Sequence, residues 1–274
     1  MGARPLAVPE NFRAKEFAGA GHPLSESVLS AACAELGVGR PALWAVMTVE
    51  TKGCGFLPDR RPQMLFERHV FDRLTGGRHS AEAPDISNPA PGGYGAGGAH
   101  QYERLAKAMP FDREAALESA SWGLGQVMGF NADDAGYASA GNMVAAMCDS
   151  EDAQFQAMLA FIVRNGLAGC LQAADWAGFA ARYNGKDFRK NGYGAKLALA
   201  HARFSTGPLP SLDVRAAQLC LAYLGYAPGA VDGWFGANTQ KALIRFQKIQ
   251  GLEETGRVDA AILATLRKAA APAA

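Results

Sequence analysis

Residues 42–56, ALWAVMTVETKGCGF, decide how the chain is read. Ala42 to Val49 form a nearly unbroken apolar run, and Pro41 stands before it, where the first turn of a helix tolerates a missing N–H. Gly53 and Gly55 follow, so the spacing predicts a helix from about 41 to 52 that stops at Gly53. A helix that is apolar all round belongs inside a large core. Yet its last turn carries a carboxylate, Glu50. A helix C-terminus is partly negative, and burial beside Trp44, Met47 and Phe56 penalises the anion further. Both effects raise the pKa, and a carboxyl kept protonated near neutral pH is what a general acid must be. The plain alternative is a helix-terminal glutamate paired with Lys52 or Arg68.

Helical signals surround this segment. Ser25 is a predicted N-cap for a helix with Val28, Leu29, Ala32, Cys33 and Leu36 on one face, ended by Gly37. Residues 61–70, RPQMLFERHV, read as a short strand leading into a helix. The stretch 75–100, with NPAPGGYGAGGAH, is predicted to be a loop, and a loop of that length in a compact domain is usually functional. Asp112 caps a helix expected to reach Ala120, Asp149 or Ser150 caps a long one to Asn165-Gly166, and Asp175 caps one ending at Tyr183-Asn184-Gly185. A further helix covers Tyr193 to Phe204. The fold class is α+β, mostly helical.

Two prolines in Ser205-Thr206-Gly207-Pro208-Leu209-Pro210 interrupt any continuous helix and divide the 274 residues. The expected organisation is a large domain over 1–205, a linker over 206–210 and a small domain over 211–274. Within the small domain, helices are predicted at 214–224, 239–250 and 260–268, separated by the turns GAVDGWFG and LEETGRVD.

Composition narrows the function. The 27 basic and 26 acidic residues give a net charge of +1, so no overall field draws in nucleic acid or an anionic membrane. Five cysteines without a CxxC pair read as free thiols. No signal peptide, membrane anchor or spanning segment is predicted, and the first six residues, MGARPL, do not fit a myristoylation site. His69 and His79 lack the HExxH spacing of a metal site, and GGYGAGG lacks the strand and GK[ST] of a phosphate loop. No metal or cofactor is expected.

A second carboxylate, Glu67 in Leu65-Phe66-Glu67-Arg68-His69, follows Glu50 after seventeen residues. Two carboxylates are the usual minimum for glycoside hydrolysis, although Glu67 could equally pair with Arg61 or Arg68. Three segments, VETKGCGFLPDRRPQMLFERHVFDRLT, SASWGLGQVMGFN and FAARYNGKDFRKNGYGAKL, resemble in order the N-acetylmuramidase domain of phage and prophage endolysins, over residues 10–205. The resemblance implies a lysozyme-like fold and cleavage of the β-1,4 bond after N-acetylmuramic acid. It places the catalytic acid on Glu50 and a second acidic position on Glu67. Ser121-Trp122-Gly123-Leu124-Gly125-Gln126 is similar to a segment of goose-type lysozymes and lytic transglycosylases. Gln126 is then a contact for sugar N-acetyl groups and Trp122 a stacking surface, each weighed against a core role. Tyr183 and Asn184 match a Tyr-Asn pair near the acid, and Tyr94 of the glycine-rich loop is a further candidate.

The small domain resembles a three-helix peptidoglycan-binding module, from Gln218-Leu219 and Leu224-Gly225-Tyr226 through Val231-Asp232-Gly233 to Phe246-Gln247 and Gly251-Leu252. Asp232, Trp234 and Phe235 are its candidate contact residues. The whole is expected to be a monomeric endolysin that binds and hydrolyses peptidoglycan. It would be made in the host cytoplasm and reach the periplasm and wall only after a holin opens the membrane. A lytic transglycosylase and a non-catalytic cell-wall binding protein are the alternatives.

Overall fold

The computed structural model describes residues 16–51, 53–184, 189 and 191–272. Lys52, Gly185 and the neighbouring residues 186–188 and 190, on which parts of the sequence reading fall, lie outside the described residues. The chain folds as a mostly helical domain with one small sheet, followed by a three-helix domain.

Helix α1 (Glu26–Leu36) starts where the Ser25 hydroxyl accepts from the Val28 N–H, and it ends at Gly37 with φ 63°. Helix α2 (Arg40–Thr51) buries every residue from Ala42 to Met47. It is apolar all round because α10 (Tyr193–Thr206) lies along it in the most extensive helix–helix contact of the fold. Strand β1 (Met64–Phe66) leads into α3 (Arg68–Leu74). The following loop runs to Gly98, where α4 (Ala99–Ala108) begins. Gln101 of α4 fastens this loop, its amide donating to the Tyr94 and Ala96 carbonyls at 2.7 Å each.

Helix α5 (Arg113–Glu118) stops short of the expected Ala120. The reason is tertiary: Ala120 pairs with Phe66 and opens strand β2 (Ala120–Trp122), antiparallel to β1 and to β3 (Val127–Met128). Thus the SWGLGQ segment, read from sequence as a sugar-contacting stretch, is the end of β2 and the turn that leads into β3. Helix α6 (Ala140–Asp149) precedes α7 (Glu151–Arg164), whose Phe155, Met158 and Ile162 enter the core. Between them Ser150 caps α7. Short α8 (Ala168–Gln172) and Asp175-capped α9 (Trp176–Tyr183) complete the large domain before α10.

Because α10 continues to Thr206, the extended break begins at Gly207, one residue later than the composition suggested. In the small domain α11 (Leu212–Tyr223), α12 (Ala237–Ile249) and α13 (Ala260–Ala269) enclose Ala217, Leu221, Leu243, Phe246 and Leu266. Its two turns are clamped alike. The Gln218 Oε1 accepts from the Asp232 and Gly233 amides, and the Gln247 Oε1 accepts from Gly256. The Gln218 and Gln247 amides then donate to Thr239 and Thr255.

Candidate active site

Glu50 sits in the last turn of α2, half-buried, where it opens on a pocket of about 280 Å3 lined by Thr51, Gln63, Met64 and Gln126. Burial raises its carboxyl from 4.5 to about 7, while a hydrogen bond from the Asn184 amide to Oε1 at 3.0 Å opposes the rise. Burial is the cause; the sequence reading had divided the effect between burial and the helix terminus. Phe56, expected beside Glu50, instead packs against Leu219 of the small domain.

The pocket's far wall is the sheet. Gln63 precedes β1, and its carbonyl accepts from the Gly123 N–H at 2.8 Å and the Gln126 amide at 3.3 Å. Gln126 has φ 49°, an uncommon conformation for a residue with a side chain. Its amide is held by Ser121 and by the Gly123 carbonyl, so it faces the pocket as a fixed group. Gln63 was not singled out from the sequence, because nothing in its residue type marks it. Its role comes from bridging two segments 60 residues apart.

The other sequence candidates divide. Asn184 touches Glu50, and its Oδ1 is buried without a partner among the described residues. Tyr183 donates to the Gly125 carbonyl at 2.6 Å and stacks on Phe179; its hydroxyl pKa is raised by burial and then by Glu50. Tyr193, which the sequence did not flag, is raised by the same two causes and so borders the acid as well. Trp122 is a correction. It is fully buried, packs against Phe17 and Tyr102, and its indole N–H donates to the Leu117 carbonyl, so it offers no face to a sugar.

Glu67 stands at the N-cap position of α3 without a side-chain capping bond, outside the lining of the Glu50 pocket, and forms a neighbouring cluster. The Tyr94 hydroxyl donates to its Oε1 at 3.1 Å. Nδ1 of His69 lies 3.1 Å from Oε2, but in an orientation outside hydrogen-bond geometry. The pairings with Arg61 or Arg68 weighed from sequence are replaced by others: Arg61 pairs with Asp59, and Arg68 donates to the Ala90 carbonyl. A larger hollow of about 730 Å3 beside α9 and α10 is walled mainly by alanine and glycine.

In the small domain, Asp232 accepts from the Trp234 N–H and the Gln218 amide, which makes it a turn-former. Trp234 fills the seam between domains, with the Arg203 guanidinium 5.3 Å from its ring. Of the three candidates only Phe235, 44% exposed, is presented to solvent.

A model of the N-acetylmuramidase family matches residues 39–205, which holds Glu50, the sheet and Asn184. The chain belongs to the N-acetylmuramidase family. It is therefore a glycoside hydrolase of that family, and residues 210–266 match a putative peptidoglycan binding domain. Among solved structures, that of Burkholderia AP3 phage endolysin is similar over 68% of this chain and 72% of that one, at 40% identity and a TM-score of 0.61. A carboxy-terminal processing protease, CtpB of Bacillus subtilis, is 32% identical over 96 residues. That match takes in 31% of this chain and spans only 20% of the protease.

Proposed function

We propose that this muramidase is an endolysin that hydrolyses the β-1,4 bond between N-acetylmuramic acid and N-acetylglucosamine, with Glu50 as general acid. The observation that carries the reading is a carboxyl raised to about 7 at the mouth of the pocket beside the sheet. Protonated at neutral pH, Glu50 donates its proton to the glycosidic oxygen as the bond from that oxygen to C1 of muramic acid breaks. Water then adds to the oxocarbenium-like C1, leaving a reducing muramic acid end. Asn184 orients the acid through its hydrogen bond. Glu67 stabilises the developing positive charge or activates the water, and the small domain holds the enzyme on peptidoglycan. Likeness to the Burkholderia AP3 phage endolysin supports a role in host lysis, with access to the wall after a holin lesion.

A lytic transglycosylase is the second reading, favoured by the position of Glu67 outside the Glu50 pocket. One carboxylate suffices there, because the 6-hydroxyl of muramic acid attacks C1 in place of water. Glu50→Gln is expected to abolish lysis of outer-membrane-permeabilised cells with an unchanged circular dichroism spectrum; near-wild-type lysis sinks the assignment. Mass spectrometry of the wild-type products separates the two chemistries, since hydrolysis leaves reducing ends and transglycosylation leaves 1,6-anhydro ends.

A further inference from the structure

At the seam between the two domains, an ion pair among the described residues is removed from water. Arg215, in the first turn of α11, is 1% exposed, and Glu151, the first residue of α7, is 0% exposed. Two guanidinium N–H groups reach the two carboxylate oxygens at 2.5 Å each, the bidentate geometry of a strong charge-assisted pair. The third contact is different in kind. Nε of Arg215 donates to the Gly53 carbonyl at 2.5 Å, three residues past Glu50.

Glu151 carries the connection further. Its Oε1 also accepts from the Gly55 N–H at 2.8 Å, and its Oε2 from Leu24 at 2.9 Å. Gly55 in turn accepts from the Gln63 N–H at 2.7 Å, and Gln63 holds Gly123 and Gln126 across the pocket. Gly53, at φ 90°, closes α2 by donating to the Met47 carbonyl. An added Cβ at Gly55 would lie 1.8 Å from Gln154 Oε1, so this segment has no freedom to move toward the core. Both walls of the Glu50 pocket are therefore suspended from one side chain of the wall-binding domain.

We propose that Arg215 is a positioning residue for catalysis, acting through Gly53 and Glu151 to fix the end of α2 against the Gln63 wall of the pocket. The small domain is then part of the catalytic apparatus as well as a wall anchor. This rests on the reading of Glu50 as the acid. Lysine at 215 retains the charge but has a single head group, which cannot serve Glu151 and the Gly53 carbonyl in the same fork. A small misplacement of an acid relative to its substrate costs rate rather than affinity.

The test uses full-length variants and a short soluble peptidoglycan glycan, so that turnover is read apart from adhesion to the wall. R215K and the double variant E151Q/R215M, which removes the pair without orphaning a buried charge, are compared with Y223F. Tyr223 also crosses the seam and packs beside Cys54 and Phe56, but its hydroxyl donates to the Gly21 carbonyl and not to Gly53, Gly55 or Glu151. The expected result is a fall in kcat of about tenfold in R215K and the double variant, with KM within about twofold. Pelleting with insoluble wall is unchanged, and Y223F keeps its kcat. A folded double variant with wild-type kcat overturns the proposal; if the double variant does not fold, R215K decides on the same terms. Loss of kcat in Y223F also overturns it, because any loosening of the seam would then suffice. Failure of the Glu50 reading is separately visible, as an E50Q enzyme that still turns over the same glycan.

Discussion

Glu50 holds its proton more tightly in the folded protein than in the unfolded chain, since its pKa stands at about 7 against 4.5. Folding therefore favours proton binding between those values, and the stability associated with Glu50 is full below pH 4.5 and lost as pH rises through 7. Replacing it by glutamine removes that loss. Glu50→Gln is expected to be about 2 kcal/mol more stable than wild type at pH 8, after allowance for partial exposure, and equally stable at pH 4. Denaturant unfolding at the two pH values measures it, and an equal difference at both would show that Glu50 is not the group being desolvated. The carboxylate stood out in the sequence as a single acidic residue ending an apolar run, but position alone favoured an ordinary helix-terminal glutamate, and the segments that follow it in family order drew attention to it. Its partner Asn184 was legible only through the family resemblance, and Tyr193 and Gln63 were not legible at all. Neither lies within ten residues of Glu50 in the chain, and each reaches the pocket only through tertiary contacts that no local pattern marks.

The elements that sequence periodicity found are those whose partners are local. α1, α7 and α9 carry their own caps in Ser25, Ser150 and Asp175, so their starts follow from the residues themselves. The sheet is another matter. Strands of two or three residues are too short to show alternation, and β1 meets β2 only because Met64 finds Trp122. That pairing ended α5 early and turned Trp122 inward, away from any ligand. The placement has a measurable consequence. Trp122→Phe loses the hydrogen bond to the Leu117 carbonyl and leaves that buried acceptor unpaired, for about 1–2 kcal/mol of stability. The KM for a soluble glycan is expected to stay at the wild-type value. A tryptophan that stacked on sugar would show the opposite pattern, weakened binding at unchanged stability.

At the scale of the molecule, Pro208 and Pro210 mark a break in the helical pattern but say nothing of how the segments on either side sit together. An arginine in the first turn of a helix looks like a surface residue until Glu151, 64 positions earlier, is brought to it. The seam gathers several further contacts of the same long range. Cys54 and Phe56 pack against Leu219, and Arg60 stacks on Tyr223 while donating to the carbonyls of Ala20 and Ala270. Trp234 packs on the large domain beside Arg203. A domain on a free tether raises local substrate concentration, whereas a docked domain also fixes the direction from which the glycan meets the cleft. Docking of this kind couples the two unfolding equilibria: opening the seam strands Glu151 as a buried anion, and a core of about 60 residues is marginal alone. Calorimetry of the full chain is therefore expected to give one transition, with calorimetric and van't Hoff enthalpies equal. Its midpoint should move little between low and high salt, because the pair is out of reach of counterions. Two resolved transitions, with the smaller of a size fitting the last 60 residues, would show that the domains unfold independently and that the seam contributes little to stability.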